Sequence, residues 1–145
     1  MAYHVYISNA ASAFFSYFIM DESSGRLEKQ PDIELPAAPG AVAVSPDQSH
    51  MFVALRAAKY LASYRIDAGS GQLTQVGTSG QEEGPPYLYV DNTGRFLLSS
   101  YYGGGQVCVH GINDDQTLSP EPLQTLETDG HAHSIQTDRA NRFAF

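Results

Sequence analysis

The chain has 145 residues, a formal net charge of −8 and a single cysteine, Cys108. The acidic balance argues against a nucleic-acid backbone as partner, because phosphate binding requires a basic face. An anionic small molecule would have to be held by local cations or N–H donors against the overall field. One cysteine supports neither a disulfide framework nor a cysteine metal cage, and we predict a cytoplasmic protein.

The apolar run AASAFFSYFIM, residues 10–20, resembles the core of a signal peptide in composition. No basic segment precedes it, and the same region matches strands later in the chain. We therefore interpret it as part of the fold, and we expect neither a targeting segment nor a membrane span.

A repeat of about 46 residues organises the sequence. One marker is the residue that opens a recurring strand, with spacings of 46, 45 and 47: His4, His50, Arg95 and Arg142. A second marker is the leucine that follows an acidic turn, with spacings of 46 and 45: Leu27, Leu73 and Leu118. Two independent markers thus give the same period.

Each repeat contains short β-branched or aromatic segments separated by turn residues such as Ser-Pro-Asp and Asn-Thr-Gly. Four short strands in about 45 residues are typical of one β-propeller blade. The turn spacing excludes helical repeats. A β-sandwich is the alternative, although sandwiches do not usually repeat their sequence at a fixed period. The predicted fold is an all-β propeller with four-stranded antiparallel blades.

The strands of a blade are labelled A to D from the central channel outward. The predicted A strands are 41–45, 87–90 and 133–137, and the predicted B strands are 3–8, 50–55, 94–100 and 141–145. The predicted C strands are 13–20, 60–66 and 106–111, and the predicted D strands are 28–35, 74–78 and 122–127. This is about three blades, and a propeller needs at least four to close. We expect residues 1–145 to be the N-terminal portion of a single propeller domain, with the missing blades in the remainder of a longer chain.

Three segments together resemble the bacterial 6-phosphogluconolactonases of the seven-bladed propeller type, a family that also includes carboxy-muconate cyclases. They are SPDQSHMFVALRAAKYLASYRID (45–67), GRFLLSSYYGGGQVCV (94–109) and DGHAHSIQTDRANRFAF (129–145). The resemblance covers essentially the whole chain, and family members are more than twice as long. It implies a metal-independent enzyme without a cofactor that hydrolyses 6-phosphogluconolactone, a phosphorylated sugar lactone, in the pentose phosphate pathway.

Two other functions remain open on the sequence alone. A muconate-type lactonizing enzyme would share both fold and site with the lactonase. A non-catalytic propeller would act as a binding platform, because the fold does not fix the function. Cations around the channel mouth favour a phosphosugar lactonase, whereas a platform would expose apolar or aromatic surface there.

The candidate site residues follow from the antiparallel order of the strands. The start of A, the end of B and the start of C lie at one end of a blade. This places His131 and His133 on the same rim as Arg56, with Lys59 beside it, and as the segment Tyr101–Gly105.

We assign roles to five of these rim residues. The family's His-Ser pair corresponds to His133–Ser134, and the resemblance makes His133 the candidate general base, since histidine titrates near neutrality. Arg56 is the second catalytic candidate, because its guanidinium can hold an anion with a bidentate fork. Tyr101, His131 and Ser134 are the predicted substrate contacts.

Other interpretations of the same residues are weaker. His131 and His133 with Asp129 resemble a metal pair, but no third histidine lies nearby in the sequence, and we predict no metal. His110 aligns with Phe18 and Tyr64 and is expected in a structural aromatic position. The glycines 103–105 form a turn between strands and, without a following helix, do not form a dinucleotide loop.

Overall fold

The computed structural model describes residues 2–81 and 83–145, which form three four-stranded antiparallel sheets. Their helical content is one 3-10 turn, Arg56–Ala58. The strands are β1 (Ala2–Ser8), β2 (Phe14–Asp21), β3 (Leu27–Lys29), β4 (Ile33–Glu34), β5 (Pro39–Val44), β6 (His50–Leu55), β7 (Tyr60–Ile66), β8 (Leu73–Gly80), β9 (Tyr87–Val90), β10 (Phe96–Tyr101), β11 (Gln106–Gly111) and β12 (Gln124–Glu127).

The second and third sheets have the predicted A-to-D order. Their strands follow one another as β5-β6-β7-β8 and β9-β10-β11-β12. The predicted inner strands are β5 and β9, which lie at an edge of their sheets and pack against each other, while β1 packs against β5. The propeller-type, all-β architecture predicted from the repeat is thus confirmed.

The first sheet differs at its outer edge. A continuous D strand was predicted over residues 28–35, but two short strands, β3 and β4, both pair with β2. The interruption falls at residues 30–32, which include Pro31. Proline has no N–H to donate to a ladder, so it ends β3 and the edge resumes two residues later.

The fourth repeat was predicted to start with strands at 133–137 and 141–145, and neither forms. The pairing is reduced to one bridge, Thr137 with Ala144, beside reciprocal backbone bonds of 3.0 Å between Gln136 and Phe145. The residues before Gln136 have no ladder partner, which is why they adopt a loop rather than a strand. The segment still lies next to β9, since the Thr137 hydroxyl is 3.4 Å from that of Tyr89.

The core consists of two layers, one on each face of the middle sheet. Alternating residues of β6 point to opposite faces. Met51, Val53 and Leu55 pack with Phe15 and Tyr17 of the first sheet. The intervening residues pack on the third sheet, in a cluster made of Ala43, Phe52, Ala54, Leu61, Leu88, Val90, Leu97 and Leu118. The middle sheet is therefore covered on both sides, which explains the uninterrupted burial from Met51 to Leu55.

All A–B and C–D turns lie at one end of the sheets, which we call the turn end. Their carboxylates cap the backbone: Asp91 accepts hydrogen bonds from the N–H groups of Arg95 and Phe96, and Asp138 accepts the equivalent pair. Each turn also has one residue with a left-handed backbone, at corresponding repeat positions: Gln48, Gly94 and Asn141 in the A–B turns, and Gly25, Gly71 and Gln116 in the C–D turns. The turns therefore repeat the same left-handed backbone position with the same period of about 46 residues as the sequence.

Candidate functional site

The opposite end of the sheets, which we call the site end, carries the predicted functional residues. Arg56 directly follows the buried end of β6, where the chain makes its 3-10 turn. The turn closes at Lys59, whose left-handed backbone (φ 54°) lets its N–H donate to the Arg56 carbonyl oxygen at 3.2 Å. The Arg56 side chain is exposed. Among the described residues, none accepts a hydrogen bond from its guanidinium and none forms an ion pair with it.

The β10–β11 connection places two consecutive tyrosines differently. Tyr101 is 2% exposed, and its hydroxyl donates to Gln81 Oε1 at 2.6 Å. Burial raises the pKa of Tyr101 to about 12, so this hydroxyl stays protonated at neutral pH. Tyr102, the next residue, is 46% exposed. The predicted substrate contact Tyr101 therefore lies beneath the rim, and Tyr102 presents its ring on the rim.

Both rim histidines contact Tyr102. The His131 ring stacks on the Tyr102 ring with centroids 4.4 Å apart, and the His133 ring meets it edge-on at 5.8 Å. The His131 N–H also donates to the Tyr102 carbonyl oxygen at 3.1 Å. Ser134 is exposed one residue beyond His133. The exposed Tyr102 ring thus holds the loop that carries both histidines.

The linker between β8 and β9 connects the arginine to the tyrosine loop. Gly84 lies against the Arg56 stem. The neighbouring Glu83 carboxylate accepts hydrogen bonds from the N–H groups of Gly103 and Gly104, at 3.0 and 2.9 Å. These contacts, continued by Tyr102 and the histidines, bring Arg56 and His133 to the same rim although 76 residues separate them in the chain.

Three residues that contact this rim were not predicted from the sequence: Glu83, Gly40 and Gly84. One signal was available. Pro39–Gly40 and Gly84–Pro85 each place a glycine beside a proline shortly before a predicted inner strand, 41–45 and 87–90, in consecutive repeats. Both glycines contact Arg56, which is distant from them in the sequence. The sequence alone therefore does not show why glycine is needed at these positions.

His110 lies outside this site, between the sheets. It is fully buried, its Nε2 is 3.3 Å from the Ser99 hydroxyl, and burial lowers its pKa to about 4. A neutral buried ring matches the structural aromatic position predicted for it. Residues 2–81 and 83–145 contain no group of three or more potential metal ligands and no helix long and apolar enough to cross a membrane.

Two of the cavities along the described residues bear on the location of the site. The larger, about 850 Å³, lies at the turn end between β1 and the turn 45–49, away from the rim residues. The smaller, about 280 Å³, lies beside Glu83 and Tyr101 at the site end, with Gln106 and Cys108 in its wall. Of these two cavities, the smaller adjoins the candidate site.

Comparison with known proteins identifies the family. The family model described as "Lactonase, 7-bladed beta-propeller" matches residues 4–145. This chain belongs to that lactonase family. It is 34% identical over 119 residues to the 6-phosphogluconolactonase of Pectobacterium atrosepticum, a match that covers 82% of this chain and 35% of that protein. It is 30% identical over 138 residues to the 6-phosphogluconolactonase of Serratia proteamaculans, covering 95% and 41%.

Solved structures support the fold of this lactonase family member. A protein from Lactobacillus plantarum superimposes with a TM-score of 0.86 at 20% identity, over 97% of this chain and 43% of that one. The periplasmic gluconolactonase of Pseudomonas aeruginosa gives 0.79 at 23% identity, over 90% and 38%. The chain thus spans between 35% and 43% of the length of each of these proteins.

Proposed function

We propose that this chain contributes Arg56 and His133 to an active site that hydrolyses 6-phosphogluconolactone to 6-phosphogluconate. The observation that carries the proposal is a guanidinium without a partner among the described residues, on the same rim as a histidine, in a chain of net charge −8. A free cation in an acidic protein is suited to an anionic ligand. The relatives named as 6-phosphogluconolactonases make a phosphorylated lactone the first choice.

In the proposed reaction, His133 accepts a proton from the water that attacks the lactone carbonyl carbon. Attack generates a tetrahedral oxyanion, and its collapse breaks the bond between the carbonyl carbon and the ring oxygen. The ring oxygen leaves as a hydroxyl by taking the proton back from His133, and the new carboxyl group loses its proton to water. Arg56 holds the phosphate through its fork of N–H donors. The exposed position of His133 leaves its ring accessible to water and ligand.

In this proposal, the aromatic ring that contacts the substrate is that of Tyr102. The Tyr101 hydroxyl is occupied by Gln81, so Tyr101 supports the loop from beneath while Tyr102 and His131 form the surface above it. Ser134, beside His133, remains a candidate hydrogen-bond donor to the substrate.

The proposed active site also needs hydrogen-bond donors for the oxyanion. Because the chain spans 35% and 41% of two related lactonases, we infer that further blades supply the donors for the oxyanion. Loss of one such donor costs about 10²–10³ in rate. Residues 1–145 would then be the N-terminal portion of one cytoplasmic propeller domain, and would turn over poorly when isolated.

The test is hydrolysis of freshly generated 6-phosphogluconolactone, corrected for its spontaneous breakdown. The protein that contains this chain with its remaining blades should accelerate the reaction, and residues 1–145 alone should not. If the protein does not hydrolyse the lactone but converts a carboxy-muconate, the proposed substrate is wrong. Robust turnover by the isolated chain would refute the inference about further blades.

A further inference from the structure

The aliphatic stem of Arg56 runs between two glycines. A Cβ atom added at Gly40 would lie 2.6 Å from Arg56 Cδ and 2.8 Å from Cγ. One added at Gly84 would lie 2.8 Å from Cγ and 2.9 Å from both Cα and Cβ of Arg56. Separations below about 3.0 Å do not occur between real side-chain carbons, so neither position accommodates another residue without moving the arginine.

Backbone conformation does not explain these glycines. Neither Gly40 nor Gly84 has a backbone in the left-handed region, unlike Gly25, Gly71, Gly94 and Gly105. Any residue could adopt their φ angles. The reason for glycine is therefore space, and at both positions Arg56 fills that space.

We propose that Gly40 and Gly84 form a slot that fixes the direction of the Arg56 guanidinium, and that Glu83 anchors the second wall of that slot. This rests on the proposed function, in which Arg56 holds the substrate phosphate. Gly40 is the second residue of the inner strand β5, and Gly84 lies in the linker three residues before the inner strand β9. The Glu83 carboxylate ties the linker to the tyrosine loop through Gly103 and Gly104. All three are positioning residues that act through Arg56.

The two walls differ in what a methyl group would displace. At Gly40 the crowded atoms are Cγ and Cδ of a flexible side chain, and the nearest backbone atom, the Ala54 carbonyl oxygen, is 3.4 Å away. At Gly84 the crowded atoms include Arg56 Cα, so the backbone itself must shift. Gly40→Ala should therefore redirect the guanidinium with little loss of stability, whereas Gly84→Ala should perturb both.

The decisive experiment uses Gly40→Ala in the full-length protein. Forcing Arg56 out of its rotamer should raise KM for the lactone about threefold to tenfold with kcat nearly unchanged, and weaken 6-phosphogluconate binding by the same factor. Gly80→Ala is the matched control, since nothing lies within 4 Å of the added Cβ atom. In an Arg56→Ala background, Gly40→Ala should have no further effect, because the contact it disturbs is gone.

Two results would overturn the slot. Gly40→Ala could match Gly80→Ala in KM and in 6-phosphogluconate affinity. Alternatively, Gly40→Ala could weaken binding equally with and without Arg56. The NMR signal of the Arg56 Nε–H group gives an independent readout and should shift in Gly40→Ala and not in Gly80→Ala. If the wild-type protein hydrolyses no lactone, the proposed function fails, and the Arg56 signal still decides whether the slot exists.

Discussion

The two ends of the sheets use their polar side chains in opposite ways. At the turn end, Asp47, Asp91 and Asp138 accept hydrogen bonds from groups of their own turns, and a left-handed residue recurs at the equivalent position of each A–B turn. At the site end, the side chains of Arg56 and His133 have no hydrogen-bonded partner in the part of the chain that the structure describes.

The difference suggests that the polar side chains at the turn end serve stability and that those of Arg56 and His133 at the site end serve function. A carboxylate that caps the backbone of its own turn contributes to folding. A cation or imidazole without an internal partner contributes little to folding and is available for binding. Substitutions at the turn end should therefore change stability, and substitutions at the site end should change kinetics.

The largest expected effect is on the histidine of the site end. His133→Ala in the full-length protein should lower kcat about 10²–10⁴-fold, the usual contribution of a general base. Asp115→Ala at the turn end is the control and should leave kcat within about twofold, because distant sites act independently. Circular dichroism confirms that both variants are folded. An unchanged kcat in His133→Ala would show that another group is the base.

Two equivalent glycines test the turn end. Gly25 and Gly71 share a left-handed backbone, with φ of 69° and 71°. A Cβ at Gly25 meets nothing within 4 Å, whereas one at Gly71 collides with the ring system of Tyr17 and His4. Gly25→Ala should cost about 1 kcal/mol for the backbone alone, and Gly71→Ala about 2–4 kcal/mol.

Chemical denaturation of both glycine variants measures the difference in unfolding free energy. The excess at Gly71 arises because the turn docks on the first sheet, where the Tyr17 hydroxyl donates to the Ser70 carbonyl oxygen at 2.8 Å. Equal costs in the two variants would show that this docking contributes nothing to stability.

The arginine of the site end comes next. Arg56→Ala should raise KM about 10–100-fold and change kcat little, if the guanidinium binds ground state and transition state equally. Arg26→Ala, in an exposed turn at the other end, removes the same charge as a control. A fall in kcat without a change in KM would instead assign Arg56 to transition-state stabilisation.

The smallest expected effect concerns acid sensitivity at the turn end. The hydroxyl of Ser45, with the N–H and hydroxyl of Ser49, lowers the pKa of Asp47 to about 2. A carboxyl with a folded pKa below its unfolded value near 4 stabilises the protein above about pH 4, and that stabilisation is lost as the pH falls toward 2. Asp47 is exposed, so water screens the effect.

We therefore expect Asp47→Asn to lower stability by about 0.5–1 kcal/mol at pH 7, with the gap to wild type closing between pH 4 and pH 2. Urea unfolding at several pH values measures this gap. Asp114→Asn is the control, since the Asp114 carboxylate accepts no hydrogen bond from the described residues. A gap that stays constant with pH would show that the charge of Asp47 is not involved.

Much of the fold could be predicted because the repeat marks its own boundaries. Strands β7, β9 and β11 have the predicted bounds, since each lies between turn residues. Burial alternates along β9 and over most of β11, and four consecutive residues of β7 are buried. The predictions failed where pairing depends on something other than pattern. Pro31 divides the outer strand of the first sheet, and residues 133–135 lack a ladder partner despite their strand-like sequence.

The candidate site was predictable in its location and less so in its details. Antiparallel order alone brings Arg56 and the histidine loop to one rim. It does not show which of two consecutive tyrosines is buried, because that depends on the Gln81 side chain, which comes from a linker 20 residues away. The glycines around Arg56 were missed for the same reason, since the contact that requires them is distant in sequence.

The docking of each sheet on its predecessor has a consequence for the order of folding. Tyr6 and Tyr17 donate to the carbonyl oxygens of Gly71 and Ser70, and the Ser79 hydroxyl bonds in the same way to the third sheet at Ser119 and Pro120. Every such bond joins sheets that are consecutive in the chain. The sheets can thus assemble one after another, from the N-terminus onward, as the ribosome delivers them. Among the three described sheets, each later one docks on the sheet that precedes it in the chain.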